Sequence, residues 1–195
     1  DRPTSLFEGR DNNFFRLCLS LHLSTAFSDS LDPAQARTSY ADLSPVIKNR
    51  EESAGDDMGA WEHFEHEADI GVRGYGRTMA EAFEQAGLAM TAIITDPADI
   101  RPDAMIEVSR FEMDPELLFV DWLNAVVYEM STRHMLFSRY ELRIEEGRLE
   151  AQLFGEIIDR KRHEPVVEIK GATYTELRVV ETADDGWLAQ CVVDV

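Results

Sequence analysis

The sequence predicts an α+β domain in which a mostly antiparallel, curled sheet packs against two helices. Two observations predict it. Two segments carry apolar residues at helical spacing, each opened by a capping signal, while several others alternate apolar and polar residues. Their order is β–β–α–β–α followed by four or five strands, so strands and helices segregate instead of alternating.

Each element has a local reason. Residues 61–66 (WEHFEH) read as a short strand, and 68–76 (ADIGVRGYG) as a second, glycine-punctuated one. Thr78 and Glu81 form a capping-box sequence, since hydroxyl and carboxylate can each satisfy a free N–H at a helix start. Behind it Met79, Ala82, Phe83, Ala86, Met90 and Ile93 recur at helical spacing, and Asp96-Pro97 ends the run. Residues 104–111 alternate as a half-buried strand does, with Ile106 and Val108 on one side and Glu107 and Ser109 on the other. Asp114-Pro115 supplies an N-cap with proline at the first helical position. The helix it opens, 116–134, is apolar nearly all round. Its narrow polar stripe is Asp121, Asn124 and Tyr128, so the helix should be buried and the stripe should face a polar cavity or a partner. Residues 140–153 form a hairpin turning at Glu146-Gly147, and 176–195 another turning at Asp184-Asp185-Gly186. Between them, 155–177 reads as a loop and one more strand.

Composition narrows the function. Of 195 residues, 38 are Asp or Glu and 19 are Lys or Arg, a net charge of −19. Sequence-independent nucleic-acid binding needs the opposite sign, so no direct nucleic-acid contact is expected. No apolar stretch approaches the roughly 20 residues of a membrane span, and no membrane partner is expected. Cys18 and Cys191 are too few for a disulfide framework or a cysteine-based zinc site, which fits a reduced, cytoplasmic setting. Cys191, in mid-strand among valines, reads as an inert core thiol.

Residues 1–57 do not read as a domain. They hold ten acids and six bases, leaving 28 acids and 13 bases, a charge of −15, for 58–195. The one apolar run, 14–27, is broken by Arg16 and His22 and makes a poor secretory segment. Residues 28–57 are polar and turn-rich. We read 1–57 as a disordered leader, or as upstream sequence ahead of a start at Met58, dispensable to the domain at 58–195; a partner-binding tail is the functional alternative.

Familiar catalytic patterns are missing: there is no Gly-x-Ser-x-Gly elbow, phosphate loop, Cys-x-x-Cys or His-Glu-x-x-His. His63 and His66, three apart in a strand, point to opposite faces and are poorly placed to share a metal.

The segment His66-Glu67-Ala68-Asp69-Ile70 resembles the His-Thr-Ala-Asp-Ile signature of the archease family. Other pieces agree in order: 76–83 (GRTMAEAF), Asp121-Trp-Leu-Asn124, Phe154-Gly155-Glu156, His163, Ile169-Lys170-Gly-Ala-Thr-Tyr174 and the closing Cys-Val-Val-Asp194-Val195. The resemblance covers essentially all of 58–195 and none of 1–57. Three positions depart: Glu67 replaces a Thr, Gly171 an Ala, and Thr175 stands where a His commonly follows the Tyr. Glu67 adds a carboxylate beside Asp69, which either strengthens a cation site or repels the second carboxylate.

The resemblance implies an archease-like fold and a protein cofactor, not an enzyme. It implies activation of the GTP-dependent RNA ligase of tRNA splicing and RNA repair, through promotion of the ligase's guanylylation and turnover. It also implies calcium or another divalent cation on Asp69, Asp194 and Val195. We read Asp121, His163 and Lys170 of the shared pieces, together with Glu67 beside Asp69, as accessory or partner-facing residues. From the residues alone, Asp69 reads as a turn or cap residue and Asp194 as a solvated strand end. Two other readings compete: a metal-dependent hydrolase using Asp69, Glu67, Asp121 and His163, and a chaperone-like protein, which needs a broad exposed apolar patch.

Overall fold

In the computed structural model residues 59–66 and 68–195 are described, so the readings made on the leader and on Glu67 lie outside the described residues. β1 (Ala60–His66) and β2 (Asp69–Gly76) form an antiparallel hairpin closed by the His66–Asp69 pair. α1 (Met79–Ile94) follows. Thr78 Oγ1 accepts from the Glu81 N–H at 3.1 Å, and Glu81 Oε2 accepts from the Arg77 N–H at 2.7 Å. The capping box therefore closes on Arg77, one residue earlier than its sequence form implies.

After a short 3-10 turn (Pro97–Asp99) come β3 (Ala104–Phe111) and α2 (Pro115–Arg133). Asp114 caps α2 by accepting from the Glu116 and Leu117 N–H groups. β4 (Met135–Glu145) and β5 (Arg148–Ile157) form a hairpin whose turn residues, Glu146 and Gly147, have φ of 47° and 76°. Both lie in the left-handed region that a two-residue hairpin turn needs to match strand twist. The 155–177 segment holds one helical turn, α3 (Arg160–His163), and a two-residue strand, β6 (Gly171–Ala172). β7 (Arg178–Glu181) and β8 (Trp187–Asp194) form the last hairpin.

The architecture is α+β with antiparallel pairing, as the patterning predicts, but the strands divide into two sheets. One runs β1–β2–β8–β6, with β7 also on β8; the other runs β3–β5–β4. The division follows from α1, which touches β2 and β8 of the first sheet and β4 of the second. The chain leaving α1 thus enters a second layer, where β3 pairs with β5.

Contact between α1 and β2 is close enough to explain Gly74 and Gly76 of β2. A Cβ at Gly74 would run into the Ala82 carbonyl oxygen and the Ala86 nitrogen, so only glycine lets the helix lie against this strand. The core packs Phe83 of α1 on Phe119 of α2, centroids 4.8 Å apart, with Trp122 edge-on to Tyr140 at 5.8 Å. Thr91 donates to the Phe137 carbonyl at 2.9 Å. With that proton used, the buried Tyr140 hydroxyl donates to Thr91 Oγ1 at 2.8 Å. Burial pushes the Tyr140 hydroxyl far above its ordinary range, so it stays neutral.

Alternation divides the first sheet cleanly. On β2, Ile70, Val72, Gly74 and Gly76 face α1, leaving Asp69, Gly71, Arg73 and Tyr75 on the outer face. His63 points inward, its Nε2 2.7 Å from the Ala89 carbonyl, and His66 points outward, as their odd spacing requires. Cys191 is fully buried opposite Val72, and burial pushes its thiol up to about 12.

An oxygen-rich end of the five-stranded sheet

Register brings the signature aspartate and the chain's last residues together. The last β2–β8 pair is Ile70–Val193, so Asp69 and Asp194 are the next residues along the two strands at this end of the sheet. Asp194 also pairs with Gly171 of β6, and the Lys170 N–H donates to the Asp194 carbonyl at 2.9 Å. Lys170 Nζ donates to the Val195 carbonyl oxygen at 2.7 Å and stands 3.6 Å from Asp194 Oδ1. His66, paired with Asp69, shares this edge; its Nδ1 is buried without a hydrogen-bond partner among the described residues.

Several contacts hold this end in place. Thr173 donates to the Val192 carbonyl through both its N–H and its hydroxyl, each at 2.9 Å, and the Val192 N–H donates to the Thr175 carbonyl. Asn124 of α2 supports β6: its Nδ2 donates to the Ala172 carbonyl at 3.1 Å and its Oδ1 accepts from the Ala172 N–H at 3.0 Å. A side-chain amide thus supplies the reciprocal pair a neighbouring strand would make, and α2 becomes a brace for β6 and, through it, β8. On the adjoining outer rows Arg73 pairs with Glu62, donates to Gln190 Oε1 at 2.8 Å, and lies over the Phe64 ring.

The polar stripe of α2 does not act as a unit. Asn124 is the brace, Asp121 meets Arg110 Nε of β3 at 3.5 Å, and Tyr128 is 61% exposed. Sequence reasoning placed Asn124 in the stripe without seeing its partner, because a two-residue strand leaves no pattern to find.

His163, read as an accessory or partner-facing residue, is 2% exposed and faces inward. Its Nδ1 accepts from the Asp159 N–H at 3.0 Å, which leaves the proton on Nε2, 3.3 Å from Glu156 Oε1. Glu156 also takes both terminal nitrogens of Arg162 at 2.6 Å and the Arg101 N–H at 2.6 Å. These bonds, the Arg162 pair above all, hold the Glu156 carboxyl down at about 2.

The cluster makes stability depend on pH. The unfolded chain protonates Glu156 near 4.5, so the stability this cluster gives is present above that pH and lost as pH falls through about 2. Burial lowers the His63 pKa, so the unfolded chain takes up that proton first and stability already starts to fall below about 6.5. Thermal melts of the parent should drop steadily on acidification, and Glu156→Gln should lower the melting temperature at pH 7 and flatten its decline below pH 4.5. Equal slopes in the two proteins would refute this role for Glu156.

As a cation site the sheet end fits in donor type. Calcium takes hard oxygen ligands, and two carboxylates with a backbone carbonyl are of that kind. Among the described residues no three His, Cys, Asp or Glu side chains gather as a metal site. A cation held here would rest on two side-chain carboxylates and complete its shell from backbone oxygen and water. The Lys170 ammonium already sits against two of these oxygens. Nor do Asp69, Asp121 and His163 assemble into the metal cluster a hydrolase would need.

The fold and this site define a class: a small, strongly acidic α+β protein with an oxygen-rich sheet end. Residues 61–195 match the archease protein family. The chain is 38% identical over 142 residues to protein archease of Thermococcus gammatolerans, covering 71% of this chain and 100% of that protein. It is 39% identical over 140 residues to that of Methanosarcina barkeri, covering 69% and 95%. The solution structure of Methanobacterium thermoautotrophicum protein 1598 superposes with a TM-score of 0.62 at 29% identity, over 69% of this chain and 98% of that one. The chain belongs to the archease family. No helix among the described residues is long and apolar enough to cross a membrane.

Proposed function

We propose that the protein is a non-catalytic cofactor of the GTP-dependent RNA ligase of tRNA splicing and RNA repair, acting in the cytoplasm to promote the ligase's guanylylation and turnover. Asp69, Asp194 and Val195 hold calcium or another divalent cation at the sheet end, and that end faces the ligase. What supports this reading is that Lys170 meets Asp194 and Val195 at the sheet end where β2 begins with Asp69, with Asn124 bracing β6 behind it.

Charge supports it. Residues 58–195 carry −15, which repels RNA and favours encounter with the basic face by which a ligase holds RNA and GTP. A bound cation would offset repulsion between the facing carboxylates and present positive charge to phosphate oxygens. The chain's own part is positional: β6 and Asn124 fix the end of β8, and the Arg73 network keeps the neighbouring rows in register.

The test is formation of the ligase–GMP adduct from labelled GTP, with and without the full chain. Faster adduct formation is expected, with no turnover of GTP or RNA by the protein alone. Hydrolysis of either by the protein alone would point to the hydrolase, and suppression of client aggregation without any effect on the adduct would point to the chaperone-like reading.

A further inference from the structure

We propose that Lys170 is a built-in counter-cation: its ammonium neutralises the end of β8 when no metal is bound and competes with a divalent cation for the same oxygens. The inference rests on the cation reading above. Lys170 Nζ donates to the Val195 carbonyl oxygen at 2.7 Å and lies 3.6 Å from Asp194 Oδ1, so it stands against two of the three residues assigned to the ion.

Two cations do not share these oxygens comfortably. Calcium sits roughly 2.3–2.6 Å from its ligands, and a single charge a few ångströms from a double one is strongly repelled even at high dielectric. The ammonium is free to leave. Its side chain is 66% exposed and that of Asp194 49%, so the pair is a weak, solvent-screened one. Nor does the strand end depend on it, because the Lys170 N–H holds the Asp194 carbonyl and Thr173 holds Val192 through the backbone. Removing the Lys170 charge therefore removes a competitor and leaves the ligand frame standing. That decides the sign: affinity for the divalent ion should rise.

The experiment is calorimetric titration of calcium chloride into the full chain, as parent, Lys170→Gln and Lys170→Arg. Lys170→Gln should bind roughly three- to tenfold more tightly than the parent, and Lys170→Arg, which keeps the charge, should stay within about twofold of it. Calcium binding by Lys170→Gln alone would show full exclusion of the ion by the ammonium and would also support the proposal. Equal or weaker binding by Lys170→Gln, with the parent binding calcium, would overturn the competition and leave the cation site intact. No binding by any of the three would overturn the site and the competition together. A second readout needs no substitution: the NMR signals of the Lys170 side-chain end in the parent should move toward those of a free lysine as calcium is added, and signals that stay put while calcium binds would contradict displacement.

Discussion

Replacing Trp122 by alanine is expected to cost roughly 3–5 kcal/mol, a large part of the 5–15 kcal/mol that a domain of this kind holds in reserve. Trp122 has no exposed surface. Its indole N–H donates to the Phe83 carbonyl of α1 at 3.3 Å, and its ring meets Tyr140 of β4 edge-on. One side chain of α2 thus ties α1 to the three-stranded sheet. Urea unfolding should show a much lower midpoint for Trp122→Ala. Leu117→Ala, on the same helix at 41% exposure, should change stability by less than about 1 kcal/mol. Near-equal midpoints for Trp122→Ala and the parent would mean that α2 is not the centre of the core.

Asp69→Ala is expected to weaken calcium binding by roughly a hundredfold or more, since loss of an outer-shell partner alone typically costs ten- to a hundredfold. With two side-chain carboxylates assigned to the ion, removing one takes away half of that charge. The stability effect should run the other way without metal. Asp69 and Asp194 are the residues just beyond the last β2–β8 pair, so removing one lowers the negative charge at this end, and the metal-free melting temperature should not fall. Calcium should raise the melting temperature of the parent and leave that of Asp69→Ala in place. A surface aspartate with no ion predicts equal, calcium-independent melts for both.

The elements that could be read in the sequence are those whose causes are local. Thr78 and Glu81 announce α1, Asp114-Pro115 announces α2, and Glu146-Gly147 marks a turn whose φ values the structure bears out. The greasy character of α2 points to its burial, and Phe119, Trp122, Leu123 and Val126 are all fully buried. What the sequence hides is non-local. Alternation in 104–111 states that a strand exists but not that its partner is β5, so two sheets read as one.

The site divides the same way. Asp69 and Asp194 stand out through the family resemblance, and the register puts both at the same end of the β2–β8 pair. Lys170 is visible as a motif residue, but its ion pair exists only once β6 lies beside β8. His163 is set among the charged residues Arg160, Lys161, Arg162 and Glu164, and nothing in that run signals burial. The single turn of α3 points it inward, where Thr95 donates to its carbonyl and Glu156 accepts a hydrogen bond from its ring N–H.

The most direct test of the account is the multiple-turnover rate of the GTP-dependent RNA ligase on RNA ends bearing a 2′,3′-cyclic phosphate or a 3′-phosphate, measured with and without the full chain in calcium-containing buffer. The account predicts a clearly higher rate with the parent protein and little or no increase with Asp69→Ala. A ligase rate unchanged by the parent protein would contradict it.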